Sequence, residues 1–142
     1  MIVYLDSSAL LRLILHEPGG IEGLQSQEAL VSSELLAVEC SRTIDRLRLS
    51  GSLTLEEATV ATTAIGEWLE AVDLVLLQRP ILARASEPFP TPLGTLDALH
   101  LATALVYRDR TGQEISIATH DSALATAARA FKFEVLGAGG LR

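Results

Sequence analysis

Apolar residues fall along the chain in short blocks whose period switches between that of a strand and that of a helix. Ile2 to Leu5 is a continuous apolar run, as expected of a strand covered on both faces. It leads directly into Asp6, Ser7 and Ser8, after which Ala9, Leu10, Leu11, Leu13, Ile14 and Leu15 make a helix apolar on nearly every side. Ser7 or Ser8 is the expected cap, and a helix of that kind is either buried or part of an interface. Pro18-Gly19-Gly20 ends it; Ile21 to Gln27 reads as a second short helix and Ala29 to Ser32 as a weak strand.

Ser33 then caps a long helix from Glu34 to about Ser50, closed by Gly51, with Leu36, Cys40, Thr43 and Leu47 as its apolar stripe. Thr54 and Glu57 stand at capping-box spacing, predicting a helix that carries Leu55, Ala58, Ile65, Trp68 and Leu69 on one side. Val72 to Leu77 predicts a buried strand, Pro80 to Ser86 a short helix, and Pro88, Pro90 and Pro92 a stiff loop. Thr95 opens a helix to about Arg110, ended by Thr111-Gly112. A strand over Glu114 to Ala118, a helix from Asp121 to about Ala130 and a last strand over Phe133 to Leu136 follow, before a glycine-rich tail. Strands alternate with long crossovers, so the expected architecture is α/β, a central parallel sheet with helices on both faces. No linker or repeat divides residues 1–142, and a single domain is expected.

Composition agrees with a packed core: 49% of the 142 residues are hydrophobic and 20% charged, which excludes disorder. A chain of this length buries roughly 70% of its unfolded surface. One cysteine, Cys40, leaves no internal disulfide, and no Cys and His residues stand at zinc-site spacing. The N-terminus has no basic leader and no stretch long enough to span a bilayer, so neither export nor membrane insertion is expected and a cytoplasmic location is. Eighteen acids against 11 basic residues give a net charge of -7. That balance argues against nucleic acid as a partner, unless the acids gather around a cation that inverts the local field.

Four acids bear on that question. Asp6 ends the first strand, on the side where open α/β sheets place ligand sites, although a helix cap is its simplest explanation. Asp97 lies in Leu96-Asp97-Ala98-Leu99-His100-Leu101-Ala102-Thr103-Ala104-Leu105-Val106, a helix apolar almost all round. An acid in a first turn gains about 0.3 to 1 kcal/mol from the helix dipole, so it too has a plain structural reading. Asp121 reads as an N-cap, and Glu39 as an exposed partner of Arg42 at i, i+3. Carboxylates gathered without basic partners repel, and a hard divalent cation with oxygen ligands relieves them. Such a cation activates water and orients a phosphate, which suits phosphodiester hydrolysis, with Arg42, Arg46 and Arg12 as candidate phosphate contacts.

The order Leu5-Asp6-Ser7-Ser8, Ser33-Glu34-Leu35-Leu36-Ala37-Val38-Glu39, Leu96 to Ala104, then Thr119-His120-Asp121-Ser122-Ala123-Leu124 resembles the PIN domain over essentially the whole chain. It looks most like the single-domain VapC ribonuclease toxins of type II toxin-antitoxin systems. The resemblance implies a Rossmann-like α/β/α three-layer sandwich and a Mg²⁺- or Mn²⁺-dependent endoribonuclease. By motif position it makes Asp6, Glu39, Asp97 and Asp121 the catalytic acids, Asp6 and Asp97 foremost as metal ligands, with Ser7 and Thr119 supporting them. It also implies a homodimer and inhibition by a VapB-like antitoxin laid across the acidic site. It makes His100 a helix-packing residue rather than a general base. Gly94 stands where many members carry a basic residue, and His120 where an aromatic or small polar residue is more usual.

Two other classes fit part of the pattern. A solitary or non-catalytic PIN-like module would bind RNA or a protein through the same fold. A receiver-like regulatory domain also sets acids at strand ends but needs a lysine near the last strands, and Lys132, the only lysine, falls in the last helix region.

Overall fold

A computed structural model describes residues 1–137, so the tail beyond Gly137 lies outside the described residues. In chain order the elements are β1 (Ile2–Leu5), α1 (Ser7–Ile14), a 3₁₀ turn (Leu24–Ser26), β2 (Ala29–Ser33), α2 (Leu35–Leu49), α3 (Leu55–Glu70), β3 (Val72–Val75), α4 (Arg79–Ala85), α5 (Thr95–Thr111), β4 (Ile115–Ala118), α6 (Ser122–Ala130) and β5 (Glu134–Leu136). All strand pairings are parallel and the order across the sheet is β3-β2-β1-β4-β5. The chain builds outward from β1 in one direction, then returns to its other side. The reversal falls between β1 and β4, the switch point where a crevice opens beyond the strand ends.

Strand alternation divides the interior into two cores. Val3 and Leu5 of β1 face one layer with Leu10, Leu36, Cys40, Ile44 and Ile65, while Ile2 and Tyr4 face the other with Leu101, Leu105, Ile117 and Leu124. Helices α1, α2 and α3 therefore cover one face, α5 and α6 the other, which is the three-layer α/β/α sandwich expected.

Several local expectations are corrected. The residue in the N-cap position of α1 is Asp6, Ser7 and Ser8 are already helical, and the Asp6 side chain makes no cap bond. The carboxylate is engaged by side chains instead. The apolar stretch from Ile21 forms a single 3₁₀ turn, following Gly23 at φ +77°. In α2 the buried stripe is Leu36, Cys40 and Ile44, and Ser33 ends β2 while its Oγ accepts the Leu35 N–H at 3.1 Å. β3 is an edge strand with Asp73 and Leu74 exposed, not a buried one, because only β2 pairs with it. On α3 the covered residues are Ala58, Ala61 and Ile65, whereas Leu55 is 70% exposed at the first turn.

The capping box of α3 is present in both halves. Thr54 Oγ1 accepts the Glu57 N–H at 3.0 Å, and Glu57 Oε1 accepts the Thr54 N–H at 2.9 Å. Replacing Thr54 with Ala orphans a backbone donor and is expected to cost about 1 kcal/mol, seen as a fall of roughly 3 °C in thermal midpoint by circular dichroism.

Candidate active site

Asp6 sits at the switch point. Its backbone N–H donates to the Ala118 carbonyl at 3.0 Å, closing the β1–β4 ladder, and its side chain is almost fully buried. Two hydroxyls hold one carboxylate oxygen: Ser8 Oγ donates to Oδ2 at 2.6 Å and Thr119 Oγ1 donates to the same atom at 2.8 Å. Each hydroxyl in turn accepts a backbone N–H, His120 on Ser8 at 2.9 Å and Asp121 on Thr119 at 3.0 Å. Both hydroxyl protons are thus committed to the carboxylate. Oδ1 is left as the oxygen free to meet a ligand.

The hydroxyl on Asp6 is that of Ser8 rather than Ser7. The reason is helical geometry: Ser8 projects from α1 toward the loop after β4, where it meets His120 and Thr119. The second hydroxyl on Asp6 is that of Thr119. Its position is set from behind by the Thr119 N–H bond to the Leu136 carbonyl at 3.0 Å and by Gly137, where a Cβ would lie 2.3 Å from the Thr119 oxygen. Glycine is required there, with φ at +107°.

The other three acids approach the same edge. Asp121 caps α6, its Oδ1 accepting the Leu124 N–H at 2.8 Å. Glu39, half-buried on α2, does not pair with Arg42; that arginine bonds Asp45 at 2.8 Å, and Glu39 Oε1 accepts from His100 Nε2. His100 is 1% exposed, its Nδ1 lies 2.7 Å from the Tyr4 hydroxyl, and its Nε2 is 3.8 Å from Asp6 Oδ1. Asp121, Glu39 and Asp6 are each anchored through one oxygen. Asp97, in the first turn of α5, meets other acids instead. Burial first, then the charges of Asp121 and Asp6, push its pKa up to about 6.

Burial opposes the charged form of His100, but hydrogen bonding to Glu39 and the charges of Asp6, Glu39 and Asp97 outweigh it, and its pKa is raised. Neighbouring Cys40 is pushed up to about 12 by burial and by the charges of Glu39 and Asp6, so it is a thiol and no nucleophile. Arg42 and Arg46 lie on the exposed side of α2, bonded to Asp45 and Thr43. Arg12 is placed differently. It lies one turn beyond Ser8 on α1, its Nη1 donates to the Pro18 carbonyl at 3.0 Å, and its Nε is buried with no partner. The His120 Nε2 is likewise buried and unpartnered, and burial, followed by the charge of Arg12, lowers its pKa.

The oxygens at this edge are hard donors of the kind Mg²⁺ and Mn²⁺ take, and the mutual repulsion at Asp97 is what such a cation relieves. Among the described residues no three groups converge closely enough to chelate as they stand. A cleft of about 400 Å³, lined by Met1, Arg108, Glu114, Lys132 and Glu134, lies at the opposite, N-terminal edge of the sheet and contains none of these acids. Among the described residues no helix is long and apolar enough to cross a membrane.

A parallel sheet in this order, with acids at its switch point, defines the class: the chain belongs to the PIN-domain family, whose pattern it matches over residues 3–130. It is 30% identical over 138 residues to Ribonuclease VapC46 of Mycobacterium tuberculosis (strain ATCC 25618 / H37Rv), an alignment covering 94% of this chain and 95% of that protein. Ribonuclease VapC47 of Mycobacterium tuberculosis (strain CDC 1551 / Oshkosh) is 29% identical over 148 residues, 99% of each chain.

The raised pKa of Asp97, caused by burial first and by its acidic neighbours second, has a thermodynamic sign. The folded protein takes up this proton as pH falls through about 6, the unfolded chain only near 3.8, so ionised Asp97 destabilises the metal-free fold above pH 6 and the penalty fades toward pH 4. Asp97→Asn is therefore expected to stabilise the fold in EDTA at pH 7.5 by on the order of 1 kcal/mol after screening of a half-buried group, read as a higher thermal midpoint. The gain should vanish near pH 4, as measured by calorimetry at the two pH values.

Proposed function

We propose that the protein is a divalent-metal-dependent endoribonuclease of the VapC kind, the toxin of a type II toxin-antitoxin pair. The observation that carries this reading is the Asp6 carboxylate, locked through Oδ2 at the switch point with Oδ1 free among three further acids. Family membership and the two ribonuclease relatives support it.

Asp6 and Asp97 would hold the Mg²⁺ or Mn²⁺, with Glu39 and Asp121 contributing their unanchored oxygens. A cation bound there supplies a water of lowered pKa and charge compensation at the phosphate. The chain's own part is orientation. Ser8 and Thr119 keep Asp6 from rotating, and Asp121 is held by the turn it caps. For an RNA phosphate, Arg12 is better placed than Arg42 or Arg46, because it lies near His120 and the Asp6 edge. The supporting role assigned to Ser7 passes to Ser8, whose Oγ donates to Asp6 Oδ2.

A VapB-like antitoxin is the proposed protein partner. A cleft of about 340 Å³ between the end of α1 and the start of α3, whose apolar lining of Ile14, Leu15, Leu53, Val60 and Ala61 is joined by His16, Glu56 and Glu57, suits an amphipathic peptide. A homodimer is part of the same proposal. A non-catalytic RNA- or protein-binding module is the second reading, favoured by the lack of a converged chelating set among the described residues.

Cleavage of a single-stranded RNA in Mn²⁺ separates the two. Asp6→Asn and Asp97→Asn are each expected to lower the rate roughly 100-fold or more, the scale lost with one group that stabilises transition-state charge, and to relieve growth inhibition on expression. Full metal-dependent cleavage by both variants would remove these acids from the chemistry.

A further inference from the structure

Tyr4, His100 and Glu39 form a single line of side chains from the middle of the sheet to the acidic edge. The Tyr4 ring and the imidazole meet edge to face, with centroids 5.7 Å apart and planes at 77°, and the hydroxyl lies 2.7 Å from Nδ1. Nε2 is hydrogen-bonded to Glu39 Oε1. Tyr4 belongs to the core layer of α5 and α6, whereas Glu39 comes from α2 in the other layer. The imidazole therefore joins the two layers across the C-terminal end of β1.

A histidine kept only for packing can satisfy its nitrogens on any nearby carbonyl. Here both nitrogens are spent on one chain that ends on a carboxylate of the proposed site, and Nε2 also approaches Asp6 Oδ1 at 3.8 Å. Glu39 has three rotatable side-chain bonds, and fixing such a side chain costs rotamer entropy. A partner that orders it beforehand removes that cost from ligand binding. Tyr4 orders the partner, since a buried imidazole gripped at Nδ1 cannot turn.

We propose that His100 is a positioning residue for Glu39: held by Tyr4, it fixes Oε1 and leaves Oε2 as the oxygen that meets the cation or its water. This rests on the metal-dependent reading above and concerns how one acid of that site is oriented. His100 acts through Glu39 and touches no reacting atom.

The test is calorimetric titration of the full-length protein with Mn²⁺ alone, alongside thermal unfolding in EDTA. His100→Ala is expected to weaken Mn²⁺ binding about 10-fold, the lower end of what loss of a ligand-orienting partner costs. His100→Gln, whose amide still donates to Glu39, should recover most of it. In a Glu39→Gln background, His100→Ala should bring no further loss. If His100→Ala does not fold, Tyr4→Phe removes one hydroxyl and should weaken binding about 3-fold. Wild-type Mn²⁺ affinity in His100→Ala, or in Tyr4→Phe where His100→Ala does not fold, would overturn the proposal whatever the thermal midpoint, as would an undiminished His100 effect in the Glu39→Gln background. Asp6→Asn serves as the reference. Should it lose Mn²⁺ binding while His100→Ala keeps it, positioning alone fails; should it bind like wild type, the metal reading fails and the proposal with it.

Discussion

The grip of two hydroxyls on the Asp6 carboxylate is the interaction on which the rest of this site depends. An ionised carboxylate buried without partners is severely destabilising, and here the compensation comes from Ser8 on α1 and Thr119 after β4. Neither hydroxyl can turn away, because each also accepts a backbone N–H from the loop that leads into α6. The grip joins the first helix to the last crossover. It exists only because β1 and β4 are neighbours, paired in register from Ile2 with Ile115 to Leu5 with Ala118. The crossing of the chain to the far side of β1 is therefore what makes Asp6 more than a strand-end acid.

Anchoring through one oxygen recurs at Asp121 and Glu39, by a helix N-terminus in one case and an imidazole in the other. Both oxygens of a carboxylate would otherwise be mobile, and a mobile acid contributes little to a preorganised site. Asp97 is the exception, with other carboxyls as its neighbours and its protonated form favoured. Local destabilisation of this kind is what a fold tolerates where charge is to be used. The overall net charge of -7 opposes a polyanionic substrate unless a cation offsets it locally.

Much of the architecture was legible in the chain. The apolar run of Ile2 to Leu5, the capping box at Thr54 and Glu57, and the Gly112 stop after α5, which adopts φ +68°, all act locally and appear where the pattern puts them. The layered α/β/α arrangement follows from strands alternating with helices. What was not legible was exposure. Val72 to Leu77 has the composition of a buried strand, yet β3 lies at the edge, because the number of neighbours a strand acquires is a property of the sheet and not of the strand.

The candidate site divides along the same line. Local period and cap chemistry already place three of the four acids, Asp6, Asp97 and Asp121, at strand ends or helix starts. Which hydroxyl serves Asp6 was decided in three dimensions: Ser8 and not Ser7, since only Ser8 reaches the loop after β4. The partner of Glu39 was decided there too. Arg42 is three residues away along the helix, but His100, 61 residues on in the chain, is the group brought against it. A helix-surface pair of that kind is worth only a few tenths of a kcal/mol, too little to hold Glu39 against a buried imidazole that the packing of α5 over the sheet places within reach.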